Sequence, residues 1–201
     1  MTHYLRVFSP NSAPIPLHRL EERLRAERLY AQFKAPGILS GDWEQLVLLD
    51  EQDREIALLG RQTALPNTPG RKQILRFIAE TRSLRPHSGA RWLAWYLKRV
   101  KVIYTFQVMH DAIGETGWRI VTELQQEIFE TARGVRQEDG AGFTNDQGFN
   151  ILWQFPDGIR GTWPFAVRRL GLWAAFEMDL ENAKQRAAFL SGKIPRGVKR
   201  L

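Results

Sequence analysis

Apolar and polar positions alternate from Tyr4 to Phe8, and that two-residue period predicts a strand. Pro10, Pro14 and Pro16 then break the chain. Leu17, Leu20 and Leu24 recur at helical spacing, with Glu21–Arg25 and Arg23–Glu27 placed to pair one turn apart, so a helix is expected to Tyr30. After Pro36-Gly37, Gln45–Leu49 and Glu55–Leu59 read as two strands. The wholly polar Asp50-Glu51-Gln52-Asp53 joins them as a hairpin turn. Leu65 to Gly70, with two prolines, a glycine and an asparagine, reads as a connector.

Two helices are expected next. Ile74, Leu75 and Ile78 give the first its apolar stripe, and Trp92, Leu93, Tyr96 and Val100 give the second its own. Ser88 is placed to cap the second helix, and Arg91, Lys98 and Arg99 lie toward its other face. Val102–Met109 is β-branched and aromatic, as a buried strand is. Trp118, Val121, Leu124, Ile128 and Ala132 mark a long amphipathic helix that Gly134 is expected to close. Phe149–Phe155 reads as a strand, Pro156-Asp157-Gly158 as a turn, and Ile159–Trp163 as the returning hairpin partner. Trp173, Phe176, Leu180, Ala187 and Leu190 predict a C-terminal amphipathic helix, followed by a flexible tail from Lys193 to Leu201.

The order β-α-β-β occurs before the connector and again after Lys101. Helices interleaved with hairpin-joined strands predict an α+β fold with mainly antiparallel sheet covered by helices. The expectation is a single compact domain over 1–201, with sub-halves 1–64 and 71–201 around the connector 65–70.

Composition narrows the class. The chain has 201 residues, 43% hydrophobic and 25% charged, which is ordinary for a soluble globular protein able to bury a core without staples. Cysteine is absent, which removes disulfides, thiolate metal sites and cysteine nucleophiles. The first residues lack the apolar run of a signal peptide, and no segment is apolar for the ~18–20 residues a bilayer span requires. A cytoplasmic protein without a membrane segment is expected.

The net charge of +7 is unevenly distributed. Arg71, Lys72, Arg76, Arg82, Arg85, Arg91, Lys98, Arg99 and Lys101 face a single acid, Glu80, between positions 71 and 101, a local charge of +8. The tail from Lys193 to Leu201 adds +4, so the remainder carries −5.

The richest polar stretch is Gln137–Phe155. Gly140 and Gly142 begin a G-x-G, but Asn145 occupies the third glycine position and no Lys-Ser/Thr follows. Counted from Asp139, the alternating oxygen positions of a calcium loop hold Ala141 and Phe143. Asp139, Gly140, Gly142, Asn145 and Gly148 instead suit tight turns that clamp Phe143, a structural role.

Four segments taken together resemble a set of uncharacterised bacterial α+β proteins: Trp92-Leu93-Ala94-Trp95-Tyr96-Leu97, Val100–Gln107, Asp139–Asn145 and Ile151–Phe155. Trp43 and Glu55-Ile56-Ala57 are similar to their N-terminal portion. Those proteins more often carry Glu where this chain has Ala141. The resemblance implies a bacterial origin and a shared fold, and brings no activity, cofactor or site residue with it.

Candidate chemistry is sparse. His3, His18, His87 and His110 have no metal-ligand spacing, and no serine sits in a G-x-S-x-G elbow. His110-Asp111 is the one orienting pair that acid–base chemistry would use, and Glu123, Glu127 and Glu130 share a helix face. No cofactor and no metal are expected. The basic segment is the better candidate: Arg71, Lys72, Arg76, Arg91, Lys98 and Arg99 can present a cationic face to an acidic protein. The leading expectation is a non-catalytic protein-binding protein, immunity-like or regulatory, with an unidentified protein partner. Nucleic-acid binding through the same 71–101 segment, with Trp95 as a stacking surface, is the alternative, and an enzyme of unassigned reaction is the third.

Overall fold

The computed structural model describes residues 2–35, 43–109, 114–156 and 158–201. Its fold is α+β, with five helices and nine strands among the described residues. The contacts gather the chain into two units, Met1–Arg71 with Val100–Gly134, and Lys72–Arg99 with Val135–Leu201. These units differ from the expected sub-halves 1–64 and 71–201, because 100–134 belongs with the N-terminal segment.

The first unit contains β1 (Thr2–Ser9), α1 (Leu17–Ala26), β2 (Gln32–Lys34), β3 (Gln45–Leu49), β4 (Glu55–Thr63), β5 (Val102–Met109) and α4 (Glu115–Ala132). Its strands lie in the order β2-β3-β4-β5-β1, every neighbouring pair antiparallel. Alternation places Leu5, Val7, Ala57, Leu59, Tyr104, Phe106 and Val108 in one core with Leu20 and Leu24 of α1 and Ile120, Val121, Leu124 and Ile128 of α4. The other face carries Leu58, Gly60, Gln62, Thr105 and Gln107 along an open, mostly polar groove of about 430 Å³.

Three details of this unit depart from expectation. Helix α1 stops at Ala26, not Tyr30. Arg28 turns left-handed (φ 55°), and Leu29 and Arg28 N–H donate to the carbonyls of Leu24 and Arg25 at 2.8 and 3.1 Å, a Schellman closure. Arg23 donates across to Glu123, and Arg19 to Glu127, in place of an Arg23–Glu27 pair within the helix. At the end of α4 it is Arg133 (φ 51°), not Gly134, that turns left-handed. Gly134 is needed for another reason: a Cβ there would lie 2.6 Å from Val7 Cγ1 and 2.8 Å from the Phe8 carbonyl oxygen.

Helix α2 (Pro69–Thr81) starts inside the expected connector. Thr68 Oγ1 accepts from the Arg71 N–H at 3.2 Å, and Pro69 takes the first helical position, where its missing N–H costs nothing. Ile74, Phe77 and Ile78 are the buried hydrophobic positions of α2, whereas Leu75 is exposed.

The second unit continues through α3 (His87–Leu97), β6 (Val135–Glu138), β7 (Gly142–Phe143), β8 (Thr162–Arg169), β9 (Leu172–Asp179) and α5 (Ala183–Leu190). Helix α3 is entered from Pro86, so Ser88 lies within the first turn and does not cap it. Its buried face holds Trp92, Leu93 and Tyr96 as the spacing requires. An aromatic core of Phe155, Phe165, Phe176 and Phe189, with Val167 and Met178, fills the space between β8–β9 and α5.

Phe149–Phe155 is not a ladder strand. Only Asn150 bridges to neighbours, and the segment that follows is held by Ile151 N–H to Phe143 O (3.2 Å) and Trp153 N–H to Arg85 O (2.9 Å). Helix α3 rests on it so closely that a Cβ on Gly89 would sit 2.4 Å from the Ile151 carbonyl oxygen. The strand after the turn pairs forward: β8 pairs with β9 from Thr162↔Asp179 to Arg169↔Leu172. Trp173 and Phe176 therefore belong to a strand, and α5 begins only where Asn182 Oδ1 accepts from the Lys184 and Gln185 N–H groups. The tail is tied down as well. Glu177 N–H donates to Lys199 O, Leu201 N–H donates to Ala175 O, and Lys199 Nζ reaches Glu177 at 3.0 Å.

Candidate functional site

In the second unit, α3 and the β8–β9 hairpin enclose an open cleft of about 500 Å³ lined by Ser88, Arg91, Trp92, Trp95, Arg168 and Gly171. Helical spacing brings Ser88, Arg91, Trp92 and Trp95 to this side of α3, because positions three and four apart are neighbours on a helix surface. Arg168 and Gly171 come from the hairpin, where Arg169 pairs with Leu172 and leaves only Leu170 and Gly171 as the loop. Both loop residues have positive φ, 49° and 84°. Two such residues give a turn whose twist matches that of the strands, which is why glycine or asparagine is favoured there.

Leu170 is the exception in that turn. It holds a left-handed conformation that costs a residue with a Cβ about 1–2 kcal/mol, and its side chain is fully exposed at 103%. Leu172, on the other side of Gly171, is 75% exposed, and Trp95 is 51% exposed. Backbone strain and an apolar side chain held in water thus coincide at Leu170.

The cations here are fixed in different ways. The Arg168 guanidinium donates from Nε and Nη2 to the Gly171 carbonyl at 3.3 and 3.2 Å, and lies 5.9 Å from the Trp173 ring centre. These contacts orient it without neutralising it. Arg99 lies 4.6 Å over the Trp95 ring and so covers one face of that indole. Arg91 is exposed and forms no ion pair with the described residues. Trp92 is held edge-on against Trp173 at 4.9 Å and tilted on Tyr96 at 5.2 Å, so packed aromatic rings back the cleft wall. Burial pushes the Tyr96 hydroxyl well above the usual tyrosine range, the charge of Asp146 adds to the shift, and Arg99 opposes it. The Ser88 hydroxyl is buried without a hydrogen-bond partner among the described residues.

Of the expected cationic residues, the structure places Arg91 and Arg99 at this cleft and its rim. Arg71, Lys72 and Arg76 do not line it. Arg76 is engaged with Glu80 at 3.5 Å and lies over the Phe77 ring at 5.6 Å. Arg71 and Lys98 have interactions of their own. Arg168 and the Leu170-Gly171 turn lie outside the sequence-predicted site, and Ser88, expected as a cap, lines the cleft instead. The signal for the turn is the pair of strand-like runs, Trp163–Val167 and Trp173–Met178, that flank Leu170-Gly171. A helical reading of Trp173, Phe176 and Leu180 hides it.

The Gln137–Phe155 loop is a scaffold in the same unit. Gly140, Gly142 and Gly148 all have positive φ (83°, 87° and 87°). Phe143 is buried edge-on against Phe77 at 5.5 Å. Asn145 is fully buried, and its Oδ1 accepts from the Gln147 and Phe149 N–H groups at 3.0 and 2.9 Å. Asp139 Oδ1 accepts from Gln137 Nε2 at 3.2 Å.

His110 and Asp111 lie outside the described residues. Among the described residues no group of three or more His, Asp or Glu side chains comes together to hold a metal ion. No described helix is long and apolar enough to cross a membrane. Compared with known proteins, the chain matches no family model, no curated protein and no solved structure.

Proposed function

We propose that this chain is a non-catalytic protein-binding protein, immunity-like or regulatory, that engages an acidic partner through the face formed by α3 and the β8–β9 hairpin. The observation that carries this reading is the grouping of Arg91, Arg99 and Arg168 around the half-exposed Trp95, with the bare Leu170 of the hairpin tip adjoining Gly171 of the same cleft. Tryptophan and arginine are the residues that most often dominate binding energy at protein interfaces. Cations around an apolar centre also steer a partner of opposite charge. The absence of cysteine suits a reducing cytoplasm as the place of this encounter.

A second reading is supported by the same indole. Trp95 with Arg99 against it is also a platform on which a base of single-stranded nucleic acid can stack.

Photo-crosslinking separates the two. A photo-reactive residue in place of the exposed Arg169, used in extract of the native cell, is expected to give an adduct with one acidic protein. That adduct should disappear when Arg91 and Arg99 are both changed to glutamate, and persist when Lys184 and Lys193 are changed in the same way. An adduct indifferent to the arginine reversals, or none, overturns the proposal. An adduct with nucleic acid, lost steeply as salt rises, selects the second reading.

A further inference from the structure

The cleft itself indicates what the partner inserts. We infer that the space between Arg91 and Arg168 is a carboxylate subsite, and that its occupant is an acidic side chain of a partner protein with an apolar residue beside it. The inference rests on the protein-binding reading of this face and makes its chemistry specific.

Four features of the cleft converge on a carboxylate. Arg91 and Arg168 both line it, and no acid is among its lining residues. Two guanidinium groups on one small cavity repel each other until an anion lies between them, and a carboxylate accepts charge-assisted hydrogen bonds from both. Arg168 is already oriented by the Gly171 carbonyl, which takes Nε and one Nη2 hydrogen. Its remaining N–H groups are available, and little side-chain freedom is left to lose on binding.

The Ser88 hydroxyl is the third donor. It lines the cleft, is buried, and has no partner among the described residues. A buried polar group without a partner carries a desolvation cost, so a ligand oxygen that accepts from it relieves a standing penalty. The fourth feature is the wall. Trp92 and Trp95 flank these donors with aromatic surface, which lowers the local dielectric and strengthens each charged hydrogen bond.

A side chain of a protein fits this arrangement better than a phosphate of nucleic acid. Leu170 stands bare at the hairpin tip, next to Gly171 of the cleft lining. It offers contact to an apolar side chain and nothing to a sugar–phosphate backbone. Arg99 already covers one face of Trp95, so only one face remains for stacking. The cleft, at about 500 Å³, has room for a glutamate and part of its neighbour.

The test uses the full chain and two synthetic peptides, acetyl-Gly-Glu-Leu-Gly-amide and its glutamine counterpart, with an RNA hexamer as the competing chemistry. Indole N–H resonances of Trp92, Trp95 and Trp173 report occupancy by NMR. The glutamate peptide is expected to shift these resonances saturably, and the glutamine peptide to bind about tenfold more weakly, as loss of one charged hydrogen bond implies. Arg168→Met and Arg91→Met should each abolish the shifts. Ser88→Ala should weaken binding several-fold, and the ring resonances of Phe165, Phe176 and Phe189 in the core of the same unit should stay in place in each variant, showing that its fold is intact. No saturable shift up to the solubility of the peptide, equal binding of the glutamine peptide, or stronger shifts from the RNA hexamer would overturn the inference. If the peptides fail while the crosslink from position 169 still depends on Arg91 and Arg99, the carboxylate subsite falls and the partner face stands. If the crosslink fails while the glutamate peptide binds, the subsite stands and the protein partner falls.

Discussion

Arg23 donates from both Nε and Nη2 to a single carboxylate oxygen of Glu123, at 2.9 and 2.6 Å, and so fastens α1 to α4. One turn away, Arg19 Nε repeats the contact with Glu127 at 2.6 Å, and Glu127 also accepts from Thr131 Oγ1 at 2.9 Å. Two arginines four apart on one helix thus match two glutamates four apart on the other. The hydrogen bond to Glu123, more than the surrounding charges, raises the Arg23 guanidinium above its ordinary value.

Because both Arg23 and Glu123 are less than a third exposed, their pair is worth more than a surface ion pair. Glu123→Gln should destabilise the protein by about 1 kcal/mol, a fall of about 2–4 °C in Tm for a chain of this size. A double-mutant cycle with Arg23→Met in denaturant unfolding checks it. Coupling near zero would show that the pair is only a solvated crossing.

Glycine placement yields two changes of opposite sign. Gly134→Ala drives a methyl into Val7 and the Phe8 carbonyl, and overpacking of that kind should cost about 2 kcal/mol. Arg28→Gly removes a left-handed Cβ from an exposed helix end and should gain about 0.5 kcal/mol after the entropy of the added glycine is counted. Urea unfolding midpoints with unchanged slopes would establish both.

At the hairpin tip, stability and binding should move apart. Leu170→Asn gives the turn the Asn-Gly pair its geometry favours, and should raise stability by about 1 kcal/mol. The same change removes the most exposed leucine from the rim of the cleft. Crosslinking from position 169 should therefore weaken as Tm rises. A variant that is stabilised and still crosslinks fully would show that Leu170 is not used by the partner.

Alkaline pH provides a third axis. Burial holds the Tyr96 and Tyr104 hydroxyls above the ordinary tyrosine value of 10, the latter opposed by the Arg61 guanidinium. Folding therefore favours their protonated forms. The stability this contributes is complete below pH 10 and is lost as pH rises through the raised values. Phenolate absorbance of the native chain, compared with Tyr96→Phe and Tyr104→Phe, should place both ionisations above 10 and coincident with loss of near-UV circular dichroism. Ionisation of either group at its ordinary value in the folded protein would contradict its burial.

The elements that sequence alone determined are those whose side chains meet one environment along their length. Val102–Met109 is legible from its β-branched and aromatic composition, and the helix carrying Trp118, Val121, Leu124, Ile128 and Ala132 from a period strong enough to fix both type and face. The Asp50–Asp53 turn is equally local, written in residues that satisfy their own backbone.

Tertiary structure decided the rest, for a different reason in each place. Trp173, Phe176 and Leu180 are spaced as a helix would have them, yet β8 supplies a full ladder of hydrogen bonds that makes the segment a strand. Phe149–Phe155 has strand composition, but the backbone of α3 at Gly89 occupies the space beside Ile151. Arg23 has Glu27 four residues on in sequence, but Glu123 on the neighbouring helix holds it with two hydrogen bonds. The candidate site belongs to this second class. Basic residues between 71 and 101 were legible, but Arg168 lies 77 positions from Arg91, and only the two-residue turn at Leu170-Gly171 brings it to the cleft.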